Sequence, residues 1–458
     1  MNNSFSTLNL NPAMLENLQT LGYDTMTPIQ QQALPITLKN KDLIAQAKTG
    51  SGKTVAFSLG ILHKLNVKKF RIQAMILCPT RELANQVASE LKKLARFTHN
   101  IKITTLCGGM PYRPQVHSLS HQAHIIVGTP GRILKHLKEE SFSPEDINTL
   151  VLDEADRMLD MGFYEDINTI IDFLPKQRQT LLFSATYPQN IEQMAQDILI
   201  DPVQVKIDTK HEDNVIEQVF YEAAMSDKTN IILKAFTHYK PESTIIFCNT
   251  KIACDELADD LEDAGIDVLV MHSDLEQRDR NETLILFASK SYPVLIATDV
   301  AARGLDIDDV DLVINYELPF DAEVYTHRIG RTARAGKRGV AIGLVDGAQL
   351  ELFNDLNDFQ NSNFILNDAN SLIEDKSFSL DAYWQGIFIN GGKKNKMRAG
   401  DILGALTAGL GLAKDEVGKI DILDFCSYVA VKRTLAKDVQ QKLSNAKIKG
   451  KYYKVFLK

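Results

Sequence analysis

Short apolar runs alternate with stretches of helical periodicity along most of the chain. AMILCP at 74–79, AHIIVGTP at 123–130, TLVLDEAD at 149–156 and TLLFSAT at 180–186 have the length and composition of strands. Each ends in small or polar residues, at the edge where a parallel strand presents its chemistry. Segments between them, such as RELANQVASELKKLARF at 81–97, space their apolar residues as a helix does. Strands alternating with helices predict a parallel sheet with crossover helices. The alternation recurs after about residue 212, in STIIFCN at 243–249, DVLVMH at 267–272, PVLIATD at 293–299 and DLVINYE at 311–317. The pattern therefore predicts two tandem α/β domains, 1–208 and 209–368, joined through a polar stretch at 207–214. Residues 346–382 turn polar and acidic; the start can close the second domain, and 369–382 reads as a linker. Six short elements fill 383–458 in the order strand, helix, strand, strand, helix, strand, which fits a small α+β sandwich.

Composition sharpens this. A chain of 458 residues exceeds one hydrophobic core, and 44% hydrophobic with 24% charged residues excludes a largely disordered or fibrous protein. The net charge of −8 taken alone speaks against a nucleic-acid partner. Yet residues 383–458 hold 15 Lys and Arg against 6 Asp and Glu, a net of +9, so the remainder carries −17. An acidic body with a basic end module suggests nucleic-acid contact through that module. The five cysteines are scattered, with no CxxC pair, which fits a reducing compartment better than a disulfide framework or zinc site. No apolar run approaches the roughly 20 residues of a membrane span, and no basic residue precedes Lys39, as a signal peptide would need. The expectation is a cytoplasmic protein with no membrane partner, and a monomer.

Ala47-Lys48-Thr49-Gly50-Ser51-Gly52-Lys53-Thr54 follows the apolar DLIAQ and precedes a helical segment. A glycine turn there lets backbone N–H groups surround phosphate oxygens at a helix N-terminus. Lys53 would reach the β- and γ-phosphates and Thr54 would hold Mg²⁺; Ala47 stands where the general pattern has its first Gly. Asp153 and Glu154 follow a buried apolar strand, where carboxylates are costly without a compensating cation. Asp153 is placed to hold Mg²⁺, and Glu154 to orient or deprotonate an attacking water. In the other α/β domain, His327-Arg328-Ile329-Gly330-Arg331-Thr332-Ala333-Arg334 concentrates three arginines. Arg331 and Arg334, three apart, would share a helix face and bracket a transferring phosphoryl group. Alone, such a cluster is as readily a solvated basic surface; beside a P-loop it suggests ATP held between two lobes.

With these motifs in order over 5–345, the chain resembles the DEAD-box RNA helicases, named for the tetrapeptide at 153–156. The resemblance implies two tandem RecA-like P-loop domains. Gly22-Tyr23 and Thr27-Pro28-Ile29-Gln30, with Phe5 upstream, look like the adenine-reading motif, in which Gln30 selects ATP. Thr80, Arg81, Gly109, Thr129 and Arg132 look like RNA-backbone contacts of the first lobe; Arg280, Thr298 and Gly304 look like those of the second. Asp306 would touch the ribose. Ser184 and Thr186, with Asp156 and His327, would link hydrolysis to unwinding. Phosphate contacts carry no sequence information, so such a core would be sequence-blind.

Residues 383–458 resemble the RNA-binding domain of DbpA-type bacterial helicases, a relative of the RNA-recognition motif. That resemblance implies a hairpin of 23S ribosomal RNA and pre-large-subunit particles as partners, with a role in assembling that subunit. Phe388 on the first strand is a stacking candidate, with Tyr428 on the third. Cys426 and Val431 stand where stacking aromatics are usual, so recognition could rest instead on Lys393, Lys394, Lys396 and Arg398, with Lys432 and Arg433 close by. The expectation is an ATP- and Mg²⁺-dependent RNA helicase tethered by its end module. The alternatives are a non-specific RNA remodeller and an ATP-gated RNA clamp; only the resemblance selects RNA over DNA.

Overall fold

The computed structural model describes residues 3–47, 50–207, 216–302, 310–333, 339–373, 375 and 377–458, without the side chains of 300 and 302. The chain divides into two compact units, one on residues 1–210 and the other holding most of 211–458.

The first unit is a seven-stranded parallel sheet of β1 (Leu43–Gln46), β2 (Ala74–Leu77), β3 (Ile103–Leu106), β4 (Ile125–Gly128), β5 (Thr149–Asp153), β6 (Gln179–Ser184) and β7 (Val203–Lys206). Their spatial order is β3-β4-β2-β5-β6-β1-β7. Central strands are buried on both faces, which is why they read as continuous apolar runs. Their side chains still alternate between two cores: Ala74 and Ile76 enter one, Met75 and Leu77 the other. The 81–97 segment forms the helix Arg81–Leu94 and a 3-10 turn, its Leu83, Val87, Leu91 and Leu94 face buried.

The second unit holds two sheets. Strands β8 (Ile216–Glu222), β9 (Thr244–Cys248), β10 (Val268–Met271), β11 (Val294–Thr298), β12 (Leu312–Asn315), β13 (Gly339–Val345) and β14 (Leu366–Asp368) form a parallel sheet ordered β10-β11-β9-β12-β13-β8-β14. The acidic stretch after 346 is not a bare tether. It supplies the helix Leu350–Gln360 and edge strand β14, and Leu372 and Leu380 enter the core of this lobe. The last module is an antiparallel sheet of β15 (Trp384–Ile389), β16 (Val417–Ile422), β17 (Ser427–Lys432) and β18 (Val455–Leu457), ordered β16-β17-β15-β18. Ile387, Ile389, Val429 and Val431 face its helical layer, where Ile402, Val439 and Leu443 complete a core. The alternation leaves Phe388, Tyr428 and Phe456, paired across the strands, on the opposite face.

One expectation is corrected here. The helix bearing His327 ends at Ile329, with Gly330 as its C-cap. Arg331 lies past the helix, so it does not share a helix face with Arg334, which is outside the described residues together with Lys48, Thr49, Gly304 and Asp306.

Candidate ATP and RNA sites

In the first unit the nucleotide motifs meet at the C-terminal edge of the sheet. Gly52 caps the helix Lys53–Lys64 with φ +97°, a conformation that favours glycine. A Cβ there would stand 2.4 Å from Gln30 Nε2. That close approach lets Gln30 Nε2 donate to the Gly52 carbonyl (3.2 Å) while its Oε1 accepts from the Thr27 backbone N–H (2.9 Å). The adenine motif is thereby clipped to the glycine turn. Lys53 is buried, its ammonium donating to the Ala47 carbonyl at 2.9 Å. Ser51 Oγ and Thr27 Oγ1 lie buried with no protein partner, polar groups left over for a ligand. Phe5 is buried in the adjoining core, and the Tyr23 hydroxyl donates to Glu90 (2.7 Å).

Asp153 ends β5 and is 2% exposed. Burial pushes its carboxyl up to about 7, against the opposing pull of the Lys53 ammonium. A buried carboxylate so poorly compensated, one residue from a second carboxylate, fits a hard divalent cation. Glu154 takes the left-handed N-cap position of the next helix, φ 53°, and its buried Oε2 sits 3.5 Å from Arg157 Nη1 without a hydrogen bond. Mg²⁺ needs one or two carboxylates and otherwise takes phosphate and water oxygens. Asp153, with the Thr54 hydroxyl on the neighbouring helix, could hold it; among the described residues no cluster of three or more acidic, Cys or His ligands exists.

Asp156 turns away from Asp153. Its Oδ2 accepts from the Ala185 N–H (3.1 Å), the Thr186 N–H (2.9 Å) and the Thr186 hydroxyl (3.0 Å), while its own N–H donates to Ser184 Oγ (3.3 Å). The end of β6 is thus fastened to the acidic motif, and Ala47 N–H donates to the Ser184 carbonyl from the other side (3.0 Å). Movement of any one of these three segments must pull on the others.

A second cluster gathers beyond β2, β3 and β4. Thr80 caps the helix Arg81–Leu94 through its hydroxyl, accepting from Leu83 N–H. Arg81 lies across Gly109, φ +67°, where a Cβ would stand 2.0 Å from the guanidinium. Thr129 Oγ1 accepts from Gly108 N–H (3.3 Å), and Arg132 donates to the Met110 carbonyl (2.9 Å). Thr80, Arg81, Gly109, Thr129 and Arg132 are therefore brought together. The pattern gave no sign of their support: Gln115 donates to the Cys107 carbonyl (3.0 Å) and is met by His136 Nε2 (3.1 Å).

In the second lobe the three arginines divide. Arg328 is 2% exposed and wholly committed: both guanidinium edges donate to Asp299 (2.7 Å each), with further bonds to Asn315 Oδ1 (3.0 Å), the Glu317 carbonyl (2.7 Å) and Asn249 Oδ1 (2.8 Å). It ties together the ends of β9, β11 and β12, a role that spacing alone does not reveal. Arg331 is buried in the turn that follows, and His327 is half-buried on the preceding helix. Arg280, on the helix Gln277–Ala288, donates to the Ala301 carbonyl (3.3 Å), and Thr298 ends the neighbouring β11.

In the end module, Lys393, Lys394, Lys396 and Arg398 are all exposed around a turn pinned by the buried Met397. Lys393 and Lys394 N–H groups donate to the Leu423 and Asp424 carbonyls (2.8 Å each), which sets Phe425, 70% exposed, beside the basic turn. Phe425 was missed in the sequence, where it stands outside any strand; its signal is an aromatic between two polar turn residues. The other aromatics differ. Tyr428 is 4% exposed and its hydroxyl donates to Glu282 of the second lobe (3.0 Å). Phe388 is half-covered between Tyr428 and Phe456. Lys432 lies over the Tyr383 ring (5.9 Å), and Arg433 pairs with Asp267 (2.8 Å).

Known proteins place the chain. Residues 27–194 match the DEAD/DEAH box helicase family, 227–336 the helicase conserved C-terminal domain and 386–456 the DbpA RNA binding domain. The chain is 50% identical to the ATP-dependent RNA helicase DbpA of Escherichia coli K12 over 99% of both chains. It is 36% identical to the DbpA of Bacillus subtilis 168 over 98% of both. Its fold is similar to that of S. cerevisiae Dbp5 bound to RNA and ADP BeF3, with a TM-score of 0.72 at 32% identity, over 81% of this chain and 96% of that one. Two parallel seven-stranded lobes, an ATP motif set and the end module agree with these matches at every level, and the chain belongs to the DbpA-type DEAD-box ATP-dependent RNA helicases.

Proposed function

We propose that this helicase unwinds short duplexes next to a hairpin of 23S ribosomal RNA, during assembly of the large ribosomal subunit. The observation that supports the reading best is the exposed basic turn at 393–398, set in a module that matches the DbpA RNA binding domain. The +9 charge of the module supplies attraction, and a docked hairpin raises the core's effective concentration on adjacent helices.

In this reading Gln30 selects adenine, and Ala47 through Lys53 cradle the phosphates. Thr54 and Asp153 hold Mg²⁺, which when bound neutralises phosphate charge. Glu154 holds the attacking water and takes its proton. Arg331 and Arg334 supply positive charge to the γ-phosphoryl group, and Asp306 meets the ribose. Asp156, Ser184, Thr186 and His327 relay the state of the nucleotide to the strand. Thr80, Arg81, Gly109, Thr129, Arg132, Arg280, Thr298 and Gly304 grip RNA phosphates, blind to sequence. Lys393, Lys394, Lys396, Arg398 and Lys432 hold the hairpin, with Phe425 offering a ring to an unpaired base.

The test compares RNA-stimulated ATPase activity across large-subunit rRNA fragments and unrelated RNA of equal length. The full chain is expected to prefer the fragment bearing the hairpin. Replacing Lys393, Lys394, Lys396 and Arg398 by Ala in the full chain should abolish the preference and leave stimulation by saturating unrelated RNA intact. Equal stimulation by all RNAs in the parent protein would refute the reading and leave a non-specific remodeller.

A further inference from the structure

We infer that the open sheet face of the end module is a joint, and that Glu282 is the positioning residue that holds it at a fixed angle to Arg280 of the second lobe. The contacts are specific. Glu282 is 16% exposed at its side chain and uses both oxygens: Oε2 accepts from the Tyr428 hydroxyl at 3.0 Å, and Oε1 pairs with the ammonium of Lys458. Burial first, then Glu282, pushes the Tyr428 hydroxyl above its ordinary range, which keeps it a donor. Close packing surrounds this pair. Gly386, on the same sheet face, lies so near the lobe that a Cβ would stand 2.5 Å from Leu286 Cδ2 and 3.5 Å from Ser291 Oγ. At the rim Arg433 donates to Asp267 (2.8 Å) and to the Ser291 carbonyl (3.5 Å).

The helix that receives the module is the one that carries Arg280. Glu282 and Leu286 are four apart and share a helix face. Arg280 is two residues from Glu282, so it projects about 200° away, toward Ala301. One rigid helix thus shows the module on one side and the proposed phosphate contact on the other. A hairpin held by the module would be presented to the core at one distance and angle, rather than on a loose tether. This inference rests on the proposed hairpin for its consequence, though not for the joint itself.

The experiment uses the full chain with spin labels at Asp259 on the lobe and Lys414 on the module, both exposed. Dipolar spectroscopy should give one narrow distance distribution in the parent. Glu282→Ala should broaden it, and Gly386→Val, which leaves Glu282 untouched, should broaden it independently. The reciprocal swap Glu282→Lys with Lys458→Glu should narrow it again. In parallel, unwinding is measured on duplexes placed at increasing spacing from the hairpin. A rigid joint predicts a sharp optimum, with rates falling about tenfold a few base pairs away, whereas a flexible tether falls only as about the −3/2 power of length. The two single variants should flatten the profile while hairpin affinity changes less than about twofold. Narrow distributions in both variants, or an unchanged spacing profile, would overturn the joint. A parent that fails to bind the hairpin but keeps the narrow distribution would refute the proposed target and leave the joint standing.

Discussion

Replacing Arg328 by Ala should unfold the second lobe locally before it touches the chemistry. The guanidinium is 2% exposed and makes five hydrogen bonds to four partners. Removing one partner of a buried ion pair costs about 3–5 kcal/mol. The Asp299 side chain keeps 22% exposure, so water recovers part of its solvation and about 3 kcal/mol applies to the pair. Asn249, Asn315 and the Glu317 carbonyl also lose their donor, at about 1 kcal/mol each, but neighbours in one network do not add fully. The sum is about 4 kcal/mol, a large share of the 5–15 kcal/mol that typically holds a domain together. Hydrogen exchange of β9 and β12 reads this directly. Their amides should exchange roughly a thousandfold faster in the variant, because each 1.4 kcal/mol is a factor of ten. Arg328→Lys should fall between, since an ammonium can meet Asp299 but cannot span Asn249 and Asn315 as well. If Arg328→Ala left exchange in both strands within a few-fold of the parent and still abolished ATPase activity, the guanidinium would be serving the reaction and not the sheet.

Three shorter expectations follow. Gly52→Ala should break the clip between Gln30 and the glycine turn, because its Cβ would collide with Gln30 Nε2 at a φ of +97°; ATP affinity should fall at least about tenfold in a titration, matching the 1–3 kcal/mol of a strained residue. Asp156→Ala should leave ATP binding near the parent value while RNA stimulation of hydrolysis is lost, since the three donors of Ala185 and Thr186 then have no acceptor; equal stimulation would refute the link. His136, pushed down to about 4 chiefly by burial and then by Arg132, should stay neutral through pH 5–8 in an NMR titration. Its depressed value makes the contribution to stability complete above the ordinary 6.5 and lost as pH falls through about 4, so a midpoint near 6.5 would contradict the packed Gln115–His136 pair.

What the sequence reveals about this molecule follows the range of the forces involved. Central strands such as β2 and β5 are legible because burial on both faces writes four or five apolar residues in a row. Edge strands are not: β7, Val203–Lys206, buries only Val205, and its partner is Leu43–Gln46 about 160 residues earlier. The same distinction runs through the sites. Gly50 to Lys53 and Asp153 to Asp156 announce themselves because a phosphate cradle or a pair of carboxylates is built from adjacent residues. The separation of Arg328 from Arg331 is invisible locally, because it is decided by Asp299, Asn315 and Asn249, which arrive from the ends of three strands. Tyr428 makes the point most sharply. Alternation along β15 and β17 puts it beside Phe388 on one face, and that much is readable. Whether the face meets a base or the protein's own helix depends on Glu282, 146 residues away, whose charge on a half-polar helix looks like any solvated residue. An aromatic on an open sheet is a stacking platform only if nothing in the chain has already claimed it, and such a claim is written in tertiary contact.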